Sequence, residues 1–156
     1  MNARLRPLRD DEFDAWVSAA TAGYAKSIEL DAGLTREEAQ FKAKTDMARF
    51  VSDGTLPDGH AVFLVEDDGE VVGRLWVAER PIDGGRTALV VYEVAVDEHA
   101  RGRGLGKLAM EFAADEARRR GIEQVGLNVF GGNTVARGLY RSLGYREVAV
   151  WMEKAV

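Results

Sequence analysis

The chain has 156 residues, a length that a single hydrophobic core serves, and it is 46% hydrophobic and 30% charged, far from the polar, highly charged composition of chains that stay unfolded. A formal net charge of -5 lacks the positive field with which nucleic-acid binders displace counterions from phosphates. The absence of cysteine excludes disulfides, a thiolate zinc site and a cysteine nucleophile, the only two histidines, His60 and His99, form no ligand pattern and so disfavour a metal site, and no stretch approaches the ~18 apolar residues of a membrane span.

These properties predict one domain over residues 1–156, soluble in the cytoplasm, with neither nucleic acid nor membrane as partner. Ala3 to Leu8 reads as a short strand, and Asp10 or Asp11 as the cap of a helix whose apolar residues Phe13, Trp16, Val17 and Ala20 recur at helical spacing. Gly23 to Gly33, which carries Tyr24, Glu29 and Asp31, has no firm period and is expected to be a mobile connector. Thr35 with Glu38 three residues on forms a capping-box signature, and Ala39, Ala43, Met47 and Phe50 stripe a second helix over about 36–51.

Ala61 to Glu66 and Glu70 to Glu79 are β-rich runs joined by Asp67-Asp68-Gly69, where Asp-Gly favours the positive φ of a tight hairpin. After a turn at Pro81-Ile82-Asp83-Gly84-Gly85, the run Thr87 to Val96 is apolar almost throughout and predicts a central strand. Leu105, Leu108, Ala109, Phe112 and Ala113 then predict a helix over about 104–120, stopped by Gly121. Gln124 to Val129 reads as a strand, Asn133 as the cap of a helix to about Leu143, and Tyr145 to Glu153 as a last strand. The order β-α-α-β-β-β-α-β-α-β predicts an α/β fold: a mixed, mostly antiparallel sheet of about six strands flanked by four helices.

The most informative segment joins a buried strand to a helix through Arg101-Gly102-Arg103-Gly104-Leu105-Gly106-Lys107. Such a turn presents backbone N–H groups, unobstructed by Cβ atoms, at the positive end of a helix dipole, which suits a pyrophosphate. A tight structural turn is the plainer reading of glycines alone, but three at alternate positions among basic residues exceed that need. The spacing fits neither a Walker A loop nor the G-x-G-x-x-G dinucleotide fingerprint.

At these residues the chain resembles the GNAT superfamily of N-acetyltransferases, whose acetyl-CoA loop has the form [QR]-x-x-G-x-[GA], met by Arg101, Gly104 and Gly106. A second family signature follows at the family's distance: Asn128 to Asn133, then Ala136, Leu139, Tyr140, Leu143, Gly144 and Tyr145. The resemblance implies an acetyl-CoA-dependent enzyme in which a primary amine attacks the thioester directly, within a ternary complex. By the same likeness, the Gly102 to Lys107 amides hold pyrophosphate. The pantetheine arm lies between Val94, Ala95 and Val96 on one side and Asn128 to Phe130 on the other, with Asn133 touching it. Only twelve residues follow Gly144, so the family's paired last two strands are expected as one.

Tyr140 corresponds to the family's general acid, although Ala136, Leu139, Tyr140 and Leu143 also space like a buried stripe. Glu93 sits in the apolar run Val90-Val91-Tyr92-Glu93-Val94, at a site where family members often carry an acid. It is the candidate base, since a Lys-like amine starts near pKa ~10.4 and must lose a proton. A salt bridge is the competing role for Glu93, and a bulge would change the face it occupies. The alternative to an enzyme is a non-catalytic acyl-CoA sensor or partner module on the same fold. Tyr24, Glu29 and Asp31 lie where the family binds its acceptor, a small-molecule, peptide or protein amine, and a homodimer is left open.

Overall fold

Alternating apolar residues build the sheet of the structure, a computed structural model that describes residues 2–156. Its strands are β1 (Ala3–Pro7), β2 (His60–Asp67), β3 (Glu70–Ile82), β4 (Arg86–Val96) and β5 (Val125–Leu127), lying side by side in that order. The first four are antiparallel neighbours, and β5 joins β4 in parallel. Four α-helices cover the sheet: α1 (Phe13–Asp31), α2 (Arg36–Ala48), α3 (Leu105–Arg119) and α4 (Thr134–Ser142).

The two-residue period of the strands gives each face its own core. Leu75, Val77, Leu89 and Val91 meet Met110, Ala113 and Ala117 of α3 and Tyr140 of α4. On the other face Val62 and Trp76 meet Trp16 and Ala20 of α1 and Met47 of α2. Leu75 and Leu89 are fully buried, and burying a side chain of that size contributes about 1.5–3 kcal/mol. A Glu116–Arg120–Glu79 ion-pair chain ties the end of α3 to β3.

Two expectations are corrected. The stretch 23–31 is not a connector: α1 continues to Asp31, because Ala25 and Ile28 extend its buried stripe onto Ala39 and Ala43 of α2. Gly23 is helical and lines a close approach, since a Cβ there would lie 2.8 Å from Arg74 Nη2. The predicted last strand, Tyr145 to Glu153, is absent, so the sheet has five strands rather than six and the element order ends at α4. High β propensity makes no strand without a ladder partner. The chain after α4 is instead held to that helix: Tyr145 N–H donates to Tyr140 O at 3.0 Å, and Glu147 pairs with Arg137 and Arg141. Val148, Val150, Trp151 and Met152 are left exposed, Trp151 by 89%.

Candidate active site

Beyond β4 a single 3-10 turn, Glu98–Ala100, leads into the glycine turn, with Ala100 fully buried beneath it. Gly102 has φ +76° and Gly104 φ +81°, a left-handed conformation that costs an L side chain roughly 1–2 kcal/mol. Gly104 is the N-cap of α3 and offers no side-chain acceptor. The N–H groups of Leu105, Gly106 and Lys107 therefore have no partner within the helix and face outward at its positive end. Gly106 is helical, and a Cβ there would touch Leu139 of α4 at 3.4 Å.

The three cations of the turn differ in what they meet. Arg101 Nε donates to Val96 O at 3.1 Å, and Lys107 lies 3.7 Å from Glu111 one helical turn on, an exposed pair of little energetic weight. Arg103 reaches back to Asp67 at the end of β2, whose carboxylate is 2% exposed. Breaking such a contact leaves a buried charge uncompensated, at a cost of about 3 kcal/mol. Arg103 is thus a fixed part of the turn.

Beside the turn, the sheet opens. β4 and β5 are paired only at Leu89–Val125, Val90–Gly126 and Val91–Leu127. Past that point Val94, Ala95 and Val96 stay in register with β3 alone, while Asn128, Val129 and Phe130 have left the sheet. The opening begins at a β-bulge: Trp76 pairs with Glu93 and Val77 with Val91, so Tyr92 is the extra residue. Tyr92 and Glu93 consequently both face α1, and strict alternation would have put Glu93 on the face of α3.

On that face Arg74 binds both oxygens of Glu93, Nε to Oε1 at 2.7 Å and Nη2 to Oε2 at 3.2 Å, and also donates to Ala19 O. Tyr92 stacks on His60 with ring centroids 5.5 Å apart, and Trp76 Nε1 donates to His60 Nδ1 at 3.1 Å. This leaves the His60 proton on Nε2. Burial, helped by Arg80, holds the His60 value below its ordinary range, so the ring stays neutral.

Tyr140 comes to the site from α4, whose first turn is capped by Asn133 Oδ1 accepting from Ala136 N–H at 3.2 Å. Tyr140 is 9% exposed in the core of α3 and the sheet, its ring centroid 5.8 Å from that of Tyr145. Burial first, then Tyr145, raises the phenol above its ordinary value, so it carries its proton at neutral pH. Tyr24 turns to α2 instead and donates to Asp46 at 2.9 Å. Asp31, at the end of α1, lies against the β5–α4 turn, its Oδ1 3.3 Å from where a Gly132 Cβ would stand.

Asn128 and Asn133 both lie on that turn, at its two ends. Among the residues the sequence reading missed, Arg74 had a local signal, a charge interrupting the apolar run of β3. Asp67 had none, because its partner lies 36 residues away. Among the described residues no acidic and histidine cluster could hold a metal, and no helix is long and apolar enough to cross a membrane. An open depression of about 510 Å³ beside Ala117, Gly121 and Ile122 lies at the far end of α3.

A sheet split between a bulged fourth and a short fifth strand, beside an uncapped helix behind a glycine turn, is the architecture of an acyl-group transferase. Residues 24–145 match the family model described as the acetyltransferase (GNAT) family, and the chain belongs to that family. It is an N-acetyltransferase. The Bacillus subtilis N-acetyltransferase YycN is 30% identical over 155 residues, covering 99% of both chains. The crystal structure of YycN superposes with a TM-score of 0.86, at 26% identity over 99% of each chain. A mycothiol acetyltransferase of Beutenbergia cavernae is 37% identical over 94% of this chain, which spans 46% of that longer protein. An acetyltransferase of Clostridium acetobutylicum solved with acetyl-CoA, 15% identical over 99% of this chain and 96% of its own, shares the fold with a TM-score of 0.62.

Proposed function

We propose that residues 1–156 act as one cytoplasmic unit that moves an acetyl group from acetyl-CoA to a primary amine by direct attack in a ternary complex. The carrying observation is the row of unpartnered N–H groups at the start of α3, next to the opening between β4 and β5. Acetyl-CoA supplies an activated thioester. Leu105, Gly106 and Lys107 amides take its pyrophosphate, with Arg101 and Lys107 adding counter-charge. The unpaired edge of β4 at Val94 to Val96 lines the pantetheine arm opposite Asn128 to Phe130, and a β4 amide polarises the thioester carbonyl.

A C–N bond forms as the C–S bond breaks. Glu93, oriented by Arg74, receives the amine proton through water, and the protonated Tyr140 phenol donates to the departing thiolate. Asp31 and Glu29 place negative charge at the acceptor side, which suits a cationic amine. The relationship to mycothiol acetyltransferases supports a small-molecule acceptor.

The test is a panel of polyamines, aminoglycosides and N-terminal peptides, with CoA release and acetylated product followed by mass spectrometry. Gly104→Val serves as the loss-of-binding control, since a β-branched residue opposes φ +81° and puts a Cβ before the phosphates. Acetylation of one acceptor by wild type and weak acetyl-CoA binding by the folded variant are expected. Unchanged affinity in Gly104→Val would remove the turn from the site.

A further inference from the structure

We propose that Asp67 is a positioning residue for the phosphate-binding turn: it holds Arg103 from beneath and so presets the conformation in which Leu105 to Lys107 present their N–H groups. The inference rests on the reading of that turn as the phosphate site.

Asp67 ends β2 next to Asp68, which has a left-handed φ of +50°, and Gly69. Aspartate is almost never fully buried unless paired, yet this carboxylate is buried, with Oδ2 on Arg103 and Oδ1 without a partner. A half-satisfied buried carboxylate works against folding. The hairpin has no need of it, because Asp68 and Gly69 make the turn and Asp67 already pairs through its backbone with Glu70 and Ala3. What the side chain adds is a link to a segment 36 residues away.

That segment needs a link. Arg103 stands between two left-handed glycines, Gly102 and Gly104, and glycine has the largest conformational freedom to lose on ordering. The base of the loop is already docked on the hairpin: Asp97 N–H donates to Val72 O at 2.9 Å, and a Cβ on Gly73 would lie 2.6 Å from Ala95 O. Asp67 extends this docking into the turn itself. Were Arg103 to leave Asp67 for a bound phosphate, the buried carboxylate would lose its remaining partner, a loss larger than an exposed ion pair returns. The guanidinium therefore stays, with its outer N–H donors at the loop surface.

The experiment compares calorimetric Kd values for acetyl-CoA and for S-acetylpantetheine, which lacks the pyrophosphate, on wild type and Asp67→Asn. Asparagine keeps the shape and removes the charge. The wild-type preference for acetyl-CoA is expected to fall about tenfold in the variant, the equivalent of about 1.4 kcal/mol of phosphate binding. A preference equal to or above wild type overturns the proposal. An Arg103 released to meet phosphate directly would strengthen acetyl-CoA binding, and a purely structural defect would weaken both ligands alike. A wild-type protein that does not prefer acetyl-CoA overturns both the proposal and the phosphate-site reading, which separates the two failures. Should Asp67→Asn not fold, Arg103→Lys makes the same test: charge is retained, the planar fork is lost, and a preserved preference again overturns the clamp.

Discussion

Arg74 holds Glu93 through both carboxylate oxygens and, through the same Nη2, reaches the carbonyl of Ala19 on α1 at 3.1 Å. The candidate base is thus also the centre of a link between β3, β4 and α1, with both side chains about 15% exposed. Glu93→Gln separates the two roles. As base, Glu93 matters most where the amine is fully protonated, so the variant's deficit in kcat should be widest at low pH and narrow as pH approaches ~10. As a structural pair only, its loss leaves Arg74 uncompensated, at roughly 3 kcal/mol. That reading predicts a pH-independent deficit and a Tm lower by about 6–12 °C.

Gly73→Ala tests whether the hairpin supports the opening between the strands. Its Cβ would stand 2.6 Å from Ala95 O, a backbone atom that has no rotamer with which to yield, and 3.4 Å from Val65. Overpacking of this kind costs about 1–3 kcal/mol. A lower Tm and a weaker acetyl-CoA affinity are expected together, because Ala95 lines the proposed arm site. A lower Tm with unaltered affinity would detach Ala95 from that site.

The glycine turn, α3 and the Thr35 capping box were legible in the sequence because each is specified within a few residues. Features set by pairing between distant segments were not. Whether Glu93 faces α1 depends on a bulge at Tyr92 that exists only in the register between β3 and β4. Val148, Val150 and Trp151 have the composition of a strand, but a strand needs a neighbour's ladder. Glycine misled in the opposite direction at Gly23, where its missing Cβ admits Arg74 and the helix runs on through it. The clamp by Asp67 was invisible for the same reason as the bulge: its two ends lie far apart in the chain.

Acid stability is expected to depend on Glu12. Its hydrogen bonds with Arg6, then with the Arg9 backbone, hold the carboxyl down to about 2, against an ordinary 4.5. A carboxylate whose value falls on folding adds stability above its unfolded value and loses it as pH drops. Wild-type Tm should therefore decline between about pH 4.5 and 2, and Glu12→Gln should be less stable above that window, with the two curves converging at its acidic end. Glu66, held down by Arg6 and Arg4, leaves a residual slope in the variant. Parallel curves across the window would assign the acid sensitivity elsewhere.

Tyr140→Phe is the sharpest test of the catalytic reading. The ring fills the core beside Met110, Leu75 and Val91, and phenylalanine preserves it, so fold, Tm and acetyl-CoA affinity should survive. Removing the hydroxyl takes away the proton donor and leaves the packing of the ring in place. Burial keeps the phenol protonated, which is the form that can donate to a departing thiolate. General acid catalysis contributes about 10² to 10⁴-fold, and if thiolate departure limits turnover, kcat should fall within that range while KM for acetyl-CoA changes little. Where product release limits the steady state, the fall is masked, and single-turnover acetyl transfer exposes it. A variant equal to wild type in that single-turnover step would return Tyr140 to the core as packing alone.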